Sequence, residues 1–452
     1  MHRQILAIAL NTFLESVRQP IYFVLLLAGG LMQGMNTLLS GYSMSYDTAA
    51  EVTGDNKLLL DMGLASVFVV ATLLAAFVAT AVLSREIQDK TVLTVISKPV
   101  GRPVFIIGKY IGTTAAVLLA AVILLIFLQF AIRHEVMSTA RDRMDGPVLL
   151  FSTLAVLLAI GLGVWGNFFY GWVFSSVATY AMAPLLLLAW FLTMLISKKW
   201  EFQPITTDWK PQIMLAGACI LLAMPVLTGI ALAASTRLGQ VMTIVVCAGF
   251  FLLGLLSNHM LGRSAFSNHP LAEISEVRLI DDRDGDFSDA GDRWSITLSR
   301  PPGRILDVGD RIYFGPSPNG LGLVNPSMDE FNADPTRQTD LDDVDSPKAI
   351  VIRSNEDRYT DQYELVNSGS LELRRPPESG DFIFLEPTET NLIAMATWGA
   401  TPNLQFFWLV DAVTQAHPIP PRYVGLVALY TLAQVTGLLA LSVMLFQRRD
   451  VG

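Results

Sequence analysis

Few residues of this chain could do chemistry, and those few are poorly spaced for it. Five histidines, His2, His134, His259, His269 and His417, are scattered over 452 residues. His259 and His269 are close in sequence, but no other ligand of obvious spacing accompanies them. The two cysteines, Cys219 and Cys247, lie inside apolar runs. They form neither a disulfide framework nor a C-x-x-C metal pair, and read as small buried hydrophobes. A P-loop needs G-x-x-x-x-G-K-[ST], whose backbone N–H groups and lysine cradle phosphates. Gly108-Lys109-Tyr110 lacks the first glycine and the hydroxyl, so ATP binding by a P-loop is excluded. Neither G-x-S-x-G nor H-E-x-x-H occurs. The densest set of oxygen ligands is Asp281-Asp282-Arg283-Asp284-Gly285-Asp286, followed by Asp289 and Asp292. The alternation of Asp282, Asp284 and Asp286 offers the hard oxygens that calcium takes. The glycine falls fourth from Asp282 rather than sixth, however, and no suitably spaced glutamate closes the loop. The run is read as a solvated acidic turn, with calcium as the weaker alternative. No catalytic group and no cofactor of the chain's own is expected.

Composition explains this poverty. The chain is 52% hydrophobic and 16% charged, against about 25% charged for a soluble domain. The charge is unevenly placed. Residues 264–396 hold 26 of the 40 acidic and 12 of the 31 basic residues, a net of −14, while the other parts carry +5. An acidic soluble module is therefore embedded in a membrane protein, and the overall charge of −9 excludes a nucleic-acid-seeking surface. A bilayer core takes about 20 apolar residues as helix. Windows free of Asp, Glu, Lys and Arg predict eight spans, near 21–40, 63–83, 106–132, 147–168, 174–196, 212–233, 238–259 and 424–446. The uncharged window 146–197 is too long for one crossing and is expected to turn around Gly171–Ser176. The weaker window 390–410 is expected at the interface. No cleavable leader is expected at the N-terminus.

An even number of spans puts both termini on one side. Arg3, Arg18, Arg85, Lys90, Lys98, Arg102, Lys109, Arg237, Arg448 and Arg449 fall on that side. Lys57, Arg133, Arg141, Arg143, Lys198, Lys199 and Lys210 fall on the other. The excess places the termini in the cytoplasm and the acidic module outside. Ionisable groups are nearly absent from the spans; Lys109 is expected to snorkel to the interface. No mid-membrane Asp, Glu or His offers a proton or ion relay, so any uphill transport must draw energy from another chain.

Three further segments frame the bundle. Residues 1–20 read as an amphipathic helix, with Leu6, Leu10, Phe13, Leu14 and Val17 on one face and Gln4, Asn11, Glu15 and Arg18 on the other. Residues 84–109 begin with a helix capped by Ser84 that carries Glu86 and Asp89 in its first turns. Pro99, Gly101 and Pro103 end it. Residues 263–399 read as β-rich, with strands at Val277–Ile280, Trp294–Leu298, Arg311–Phe314, Ala349–Arg353, Leu371–Leu373 and Phe382–Leu385. They fit a small sandwich or barrel, and the Asp-rich stretch 329–346 is expected to be a mobile loop.

Together these parts resemble a permease subunit of the ABC-2 type of ATP-binding-cassette transporters. The resemblance rests on the N-terminal elbow-like helix and on Glu86, Thr91, Ser97-Lys98-Pro99-Val100, Arg102 and Gly108-Lys109. It rests also on the C-terminal pattern Pro402-Asn403-Leu404-Gln405-Phe406-Phe407-Trp408, Pro420, Tyr423 and Phe446-Gln447-Arg448-Arg449-Asp450. It covers roughly 1–262 and 400–452 and points to the branch of nitrous-oxide-reductase maturation and gliding-motility permeases. In that family the loop after the second span is a coupling helix that docks on the ATPase. Carried over, the docking residues are Glu86, Asp89, Lys90, Thr91, Val92 and Ile96. The chain departs from the family in having eight spans rather than six and in the size of its insert.

The expected architecture is thus an all-α polytopic membrane bundle with an N-terminal amphipathic elbow helix and an inserted β-rich extracytoplasmic domain. The elbow occupies 1–20, the bundle 21–262 with its coupling loop at 84–105, the inserted domain 263–399, and an interfacial segment with the last span 400–452. The resemblance implies a transporter permease in the cytoplasmic membrane, acting as an exporter. ATP and Mg would be held by a cytoplasmic ATP-binding partner, and a second permease chain, identical or related, would complete the pathway. The other readings are a membrane scaffold or sensor whose outer module binds a protein partner, and a polytopic membrane enzyme.

Overall fold

The computed structural model describes residues 2–40, 48–84, 86, 101–136, 144–282, 285–304, 306–342, 346–357, 361–414 and 419–448. The chain divides into two compact units, one of Met1–Leu256 with Pro402–Gly452 and one of Ser257–Thr401.

The first unit is helical. Its elements are α1 (His2–Arg18), α2 (Pro20–Leu39), α3 (Thr48–Ala79), α4 (Arg102–His134), α5 (Gly146–Tyr170), α6 (Phe174–Leu195), α7 (Pro211–Ser235), α8 (Gln240–Ser257) and α10 (Pro421–Gln447). Among the described residues, eight helical stretches are long and apolar enough to cross a membrane: Pro20–Leu39, Asp55–Ser84, Arg102–His134, Gly146–Tyr170, Phe174–Leu195, Pro211–Ser235, Gln240–Ala265 and Pro421–Gln447. Each coincides with an expected span. The long uncharged window turns at Gly171, whose left-handed backbone (φ 66°) ends α5, a conformation that costs glycine little. Asp145 starts α5 by accepting the Val148 N–H at 3.0 Å, a side-chain N-cap. Helix α4 is the axis of the unit. Its Ala116, Val117, Ala120, Ala121, Ile123 and Leu124 are fully buried, and Gly29, Gly30 and Gly63 let α2 and α3 close on Leu124, Phe127 and Leu128.

The apolar stripe expected on α1 is divided. Leu6 and Leu10 are exposed, and the side packed on protein is Ala9, Thr12, Ser16 and Val17. Backbone proximity decides this. A Cβ at Gly112 would lie 2.3 Å from the Ala9 carbonyl oxygen, and one at Gly108 would lie 2.7 Å from Ile8. Small residues on both helices allow that approach, whereas leucines would hold the helices apart.

In the second unit, strands β1 (Phe266–Ser267) and β8 (Glu389–Thr390) pair with each other. The six others are β2 (Ala272–Asp281), β3 (Arg293–Leu298), β4 (Tyr313–Gly315), β5 (Ala349–Asp357), β6 (Gln362–Ser368) and β7 (Phe382–Phe384). They form an antiparallel sheet in the order β4-β7-β2-β3-β6-β5. The chain just before β4 also pairs with β5: Gly309 and Ile312 donate to Ile352 and Ile350, and Ile352 donates to Asp310. The two edges of the sheet thereby meet, which removes unpaired edges as a barrel does. The core holds Ile274, Ile296, Phe314, Ile350, Ile352, Leu365, Ile383 and Phe384.

One expectation fails here. Leu371–Leu373 is not a strand; Asn367 instead bonds both N–H and carbonyl of Leu371 and fixes a turn. The stretch from Asp329 to Asp342 is largely exposed and carries a five-residue helix, Gln338–Asp342; Pro335 and Leu341 are buried, and Asp329 exchanges hydrogen bonds with Lys348. The window 390–410 holds no membrane-length helix: it carries a nine-residue helix, α9 (Leu392–Ala400), with no buried residue, and a short 3-10 turn at Leu404–Phe407.

Candidate functional site

The segment expected to do the mechanical work connects α3 to α4, and both of its described ends are tied down. Helix α3 finishes in a π-helical turn, Thr80–Ser84, with Leu83 buried. The Ser84 hydroxyl donates to the Leu238 carbonyl at 3.0 Å. On the return, Gly101 caps α4 and Pro103 occupies its first turn, where the missing N–H costs nothing. Arg102 donates to the Gln447 carbonyl at 2.9 Å. Phe105 stacks on Phe446 with ring centroids 5.8 Å apart, and the Tyr110 hydroxyl donates to the Pro225 carbonyl at 3.0 Å. Leu83, Phe105, Ile106, Tyr110, Leu232 and Phe446 form one buried cluster. The ends of α3, α7 and α10 thus meet the start of α4 at this end of the unit.

Lys109 lies beside that cluster. It does not snorkel outward, for its side chain is only 3% exposed. Its ammonium is 2.8 Å from Glu86 Oε1 and 3.7 Å from Glu15 Oε2, and 5.6 Å from the centre of the Phe105 ring. Burying an ammonium costs several kcal/mol unless it is paired, and the two carboxylates provide the pairing. They come from different elements, Glu15 from α1 and Glu86 from the first residues of the loop. Burial raises the Glu15 carboxyl above its ordinary range, and Lys109 opposes that shift. The node joins elbow, loop and core helix through one buried charge.

Of the six docking residues expected from sequence, Glu86 stands at this node. Asp89, Lys90, Thr91, Val92 and Ile96 lie outside the described residues. Sequence reading placed Glu15 on the polar face of α1 and did not connect it with Lys109. The available signal was the Gly108/Gly112 pair, four residues apart on α4, opposite the small residues Ala9, Thr12 and Ser16.

The acidic run of the second unit is arranged differently from the expected alternation. Asp284 lies outside the described residues. Asp282, Asp286 and Asp292 converge, with one carboxylate oxygen of each within 4.8 Å of the others, and these are the residues that could hold a metal ion. Asp282, however, already accepts from the N–H groups of Gly285 (2.7 Å) and Phe287 (3.0 Å) and from the Trp294 indole (2.8 Å). Burial, helped by the neighbouring Asp282, Asp289 and Asp286, pushes the Asp292 carboxyl up to about 6. Cys219 and Cys247 are buried and unbridged.

Comparison of the chain with protein families, curated proteins and solved structures gives no match.

Proposed function

We propose that the chain is the membrane-spanning permease subunit of an ATP-driven transporter of the ABC-2 type, acting as an exporter. In this reading, a separate cytoplasmic ATPase grips the loop 84–105, and two permease chains form the pathway. The observation that carries the reading is the anchoring of this loop. Ser84 and Arg102 fasten its two ends to the carbonyls of Leu238 and Gln447, and Glu86 engages buried Lys109. A push on such a loop is delivered to the ends of α3, α4, α7 and α10 together, since packed helices move as rigid bodies rather than deform. The eight membrane-length helices and the sequence's lack of a P-loop favour a partner as the energy source.

Co-purification tests this. An ATPase expressed with the chain co-purifies with wild type, and Asp89→Lys removes it while the permease still inserts. Because Glu86 also holds Lys109, Glu86→Gln serves as its milder companion. Full retention of the ATPase by Asp89→Lys, or full transport without any ATPase, refutes the assignment.

A further inference from the structure

The opposite end of α4 carries a second buried cation. Arg133, in the last turn of α4, has a side chain only 8% exposed. It donates through Nη2 to the Ile196 carbonyl at the end of α6. Its Nε is 3.4 Å from Asp145 and 3.5 Å from Asp208. These are ion-pair distances, yet Nε and Nη1 find no hydrogen-bond acceptor of proper geometry. Asp145 Oδ1 caps α5 while its Oδ2, the atom facing Nε, has no hydrogen-bond partner either, and Asp208 accepts from Gln203 at 2.5 Å. A guanidinium is planar with five N–H donors, so this one is held in position with donors to spare. Unmet donors on a buried charge are costly.

Arg133 lines a cavity of about 580 Å³, within the range of small-ligand pockets. Lys198, Lys199 and Lys210 line it too, as do Glu135, Glu201 and Asp208. Lys198 is spent on Glu135 at 2.6 Å. Lys199 and Lys210 have no ion pair among the described residues and are exposed at the rim. Trp190 and Met194 give the cavity an apolar wall. Trp190 lies 6.2 Å from Trp209, an aromatic pair at a helix end of the kind that marks a membrane interface.

We propose that this cavity binds the phosphate of an anionic lipid headgroup, with Arg133 as the anchoring donor, Lys199 and Lys210 at the rim, and the apolar part of the lipid against Trp190 and Met194. Basic pockets between spans take headgroups in this way, and arginine matches phosphate oxygens in pairs. Four cations face three carboxylates along the lining, and Asp145 lies behind Arg133. So nearly balanced a site suits a singly charged phosphodiester rather than a doubly charged free phosphate.

The test uses the purified full chain in nanodiscs of zwitterionic lipid. Thermal unfolding is followed on adding short-chain phosphatidylglycerol, short-chain phosphatidylcholine or inorganic phosphate at equal concentrations. The expected result is a rise in midpoint with phosphatidylglycerol alone. In the double variant Lys199→Glu, Lys210→Glu, which leaves Arg133 and its stitching intact, the concentration of phosphatidylglycerol needed rises about tenfold. Arg133→Lys, which keeps the charge but loses the planar fork, abolishes the response. If it fails to fold, the double variant decides alone. An equal response of wild type and the double variant overturns the site. A response to inorganic phosphate matching that to phosphatidylglycerol overturns the lipid assignment.

Discussion

Helix α4 buries a cation at each end, and the two are built on opposite plans. Lys109 is neutralised by Glu86 and Glu15, whose side chains are 24% and 39% exposed. Those carboxylates belong to the loop and to the elbow, and both stay partly open to water. Arg133 is neutralised by Asp145, which is fully buried, and by Asp208, and its partners are caps and turns that join consecutive helices. The first arrangement can separate and re-form at modest cost, because its carboxylates have water to fall back on. The second cannot, because Asp145 has none. A buried charge thus acts as a joint or as a stitch according to where its counter-ions are rooted.

Four measurements test that contrast. The largest effect is expected from Arg133→Met, which strands Asp145 and is expected to cost about 3–5 kcal/mol. Lys109→Met should cost about 2 kcal/mol, since its carboxylates regain water. Unfolding midpoints in detergent read both, and equal losses would abolish the distinction. Gly112→Leu comes next. Its side chain meets the α1 backbone rather than a movable side chain, so the elbow is expected to lift, at about 2 kcal/mol. Enhanced proteolysis within α1 reports the detachment. Gly34→Leu, with open space around it, is the matched control and should leave proteolysis unchanged. Third, Glu86→Gln should weaken the node more than Glu15→Gln, by about 1 kcal/mol against a few tenths, because 2.8 Å is a charge-assisted hydrogen bond and 3.7 Å is not. The reverse order would make the elbow the true partner of Lys109.

The smallest effect belongs to the sheet unit. Asp292 has its carboxyl raised from 3.8 to about 6, so the folded state binds its proton more tightly than the unfolded state does. Its contribution to stability is fully present below about 3.8 and is lost as pH rises through about 6. Asp292→Asn should therefore stabilise the chain at pH 7, by less than about 1 kcal/mol after solvent screening, and change little at pH 4. Stabilisation of equal size at both pH values would deny the shift.

The eight membrane-length helices were legible because each contains a long uncharged run, and hydropathy depends on composition rather than on neighbours. The turn at Gly171 was legible for a related reason: the run was too long for a bilayer, and glycine stood where a left-handed residue was needed. Most strands were readable from β-branched clusters. Strand β6 was not, because Gln362, Glu364 and Asn367 interrupt the pattern that Tyr363, Leu365 and Val366 complete. Asn367 is fully buried, and it is satisfied only by the distant Phe287 carbonyl and by Leu371. The face chosen by α1 was also hidden. A moment counts apolar side chains, whereas docking on α4 was decided by how closely two backbones could approach.

Local composition and spacing were enough for the eight membrane-length runs, for the acidic insert and for the lack of P-loop, G-x-S-x-G and H-E-x-x-H motifs. Only the tertiary structure decided that Lys109 is buried between Glu86 and Glu15, that Arg133 keeps donors to spare beside a cavity, and that the sheet closes through residues 309–312. Each of these joins residues from different elements of the chain, and a charge or an edge strand acquires its partner only when the chain has folded around it.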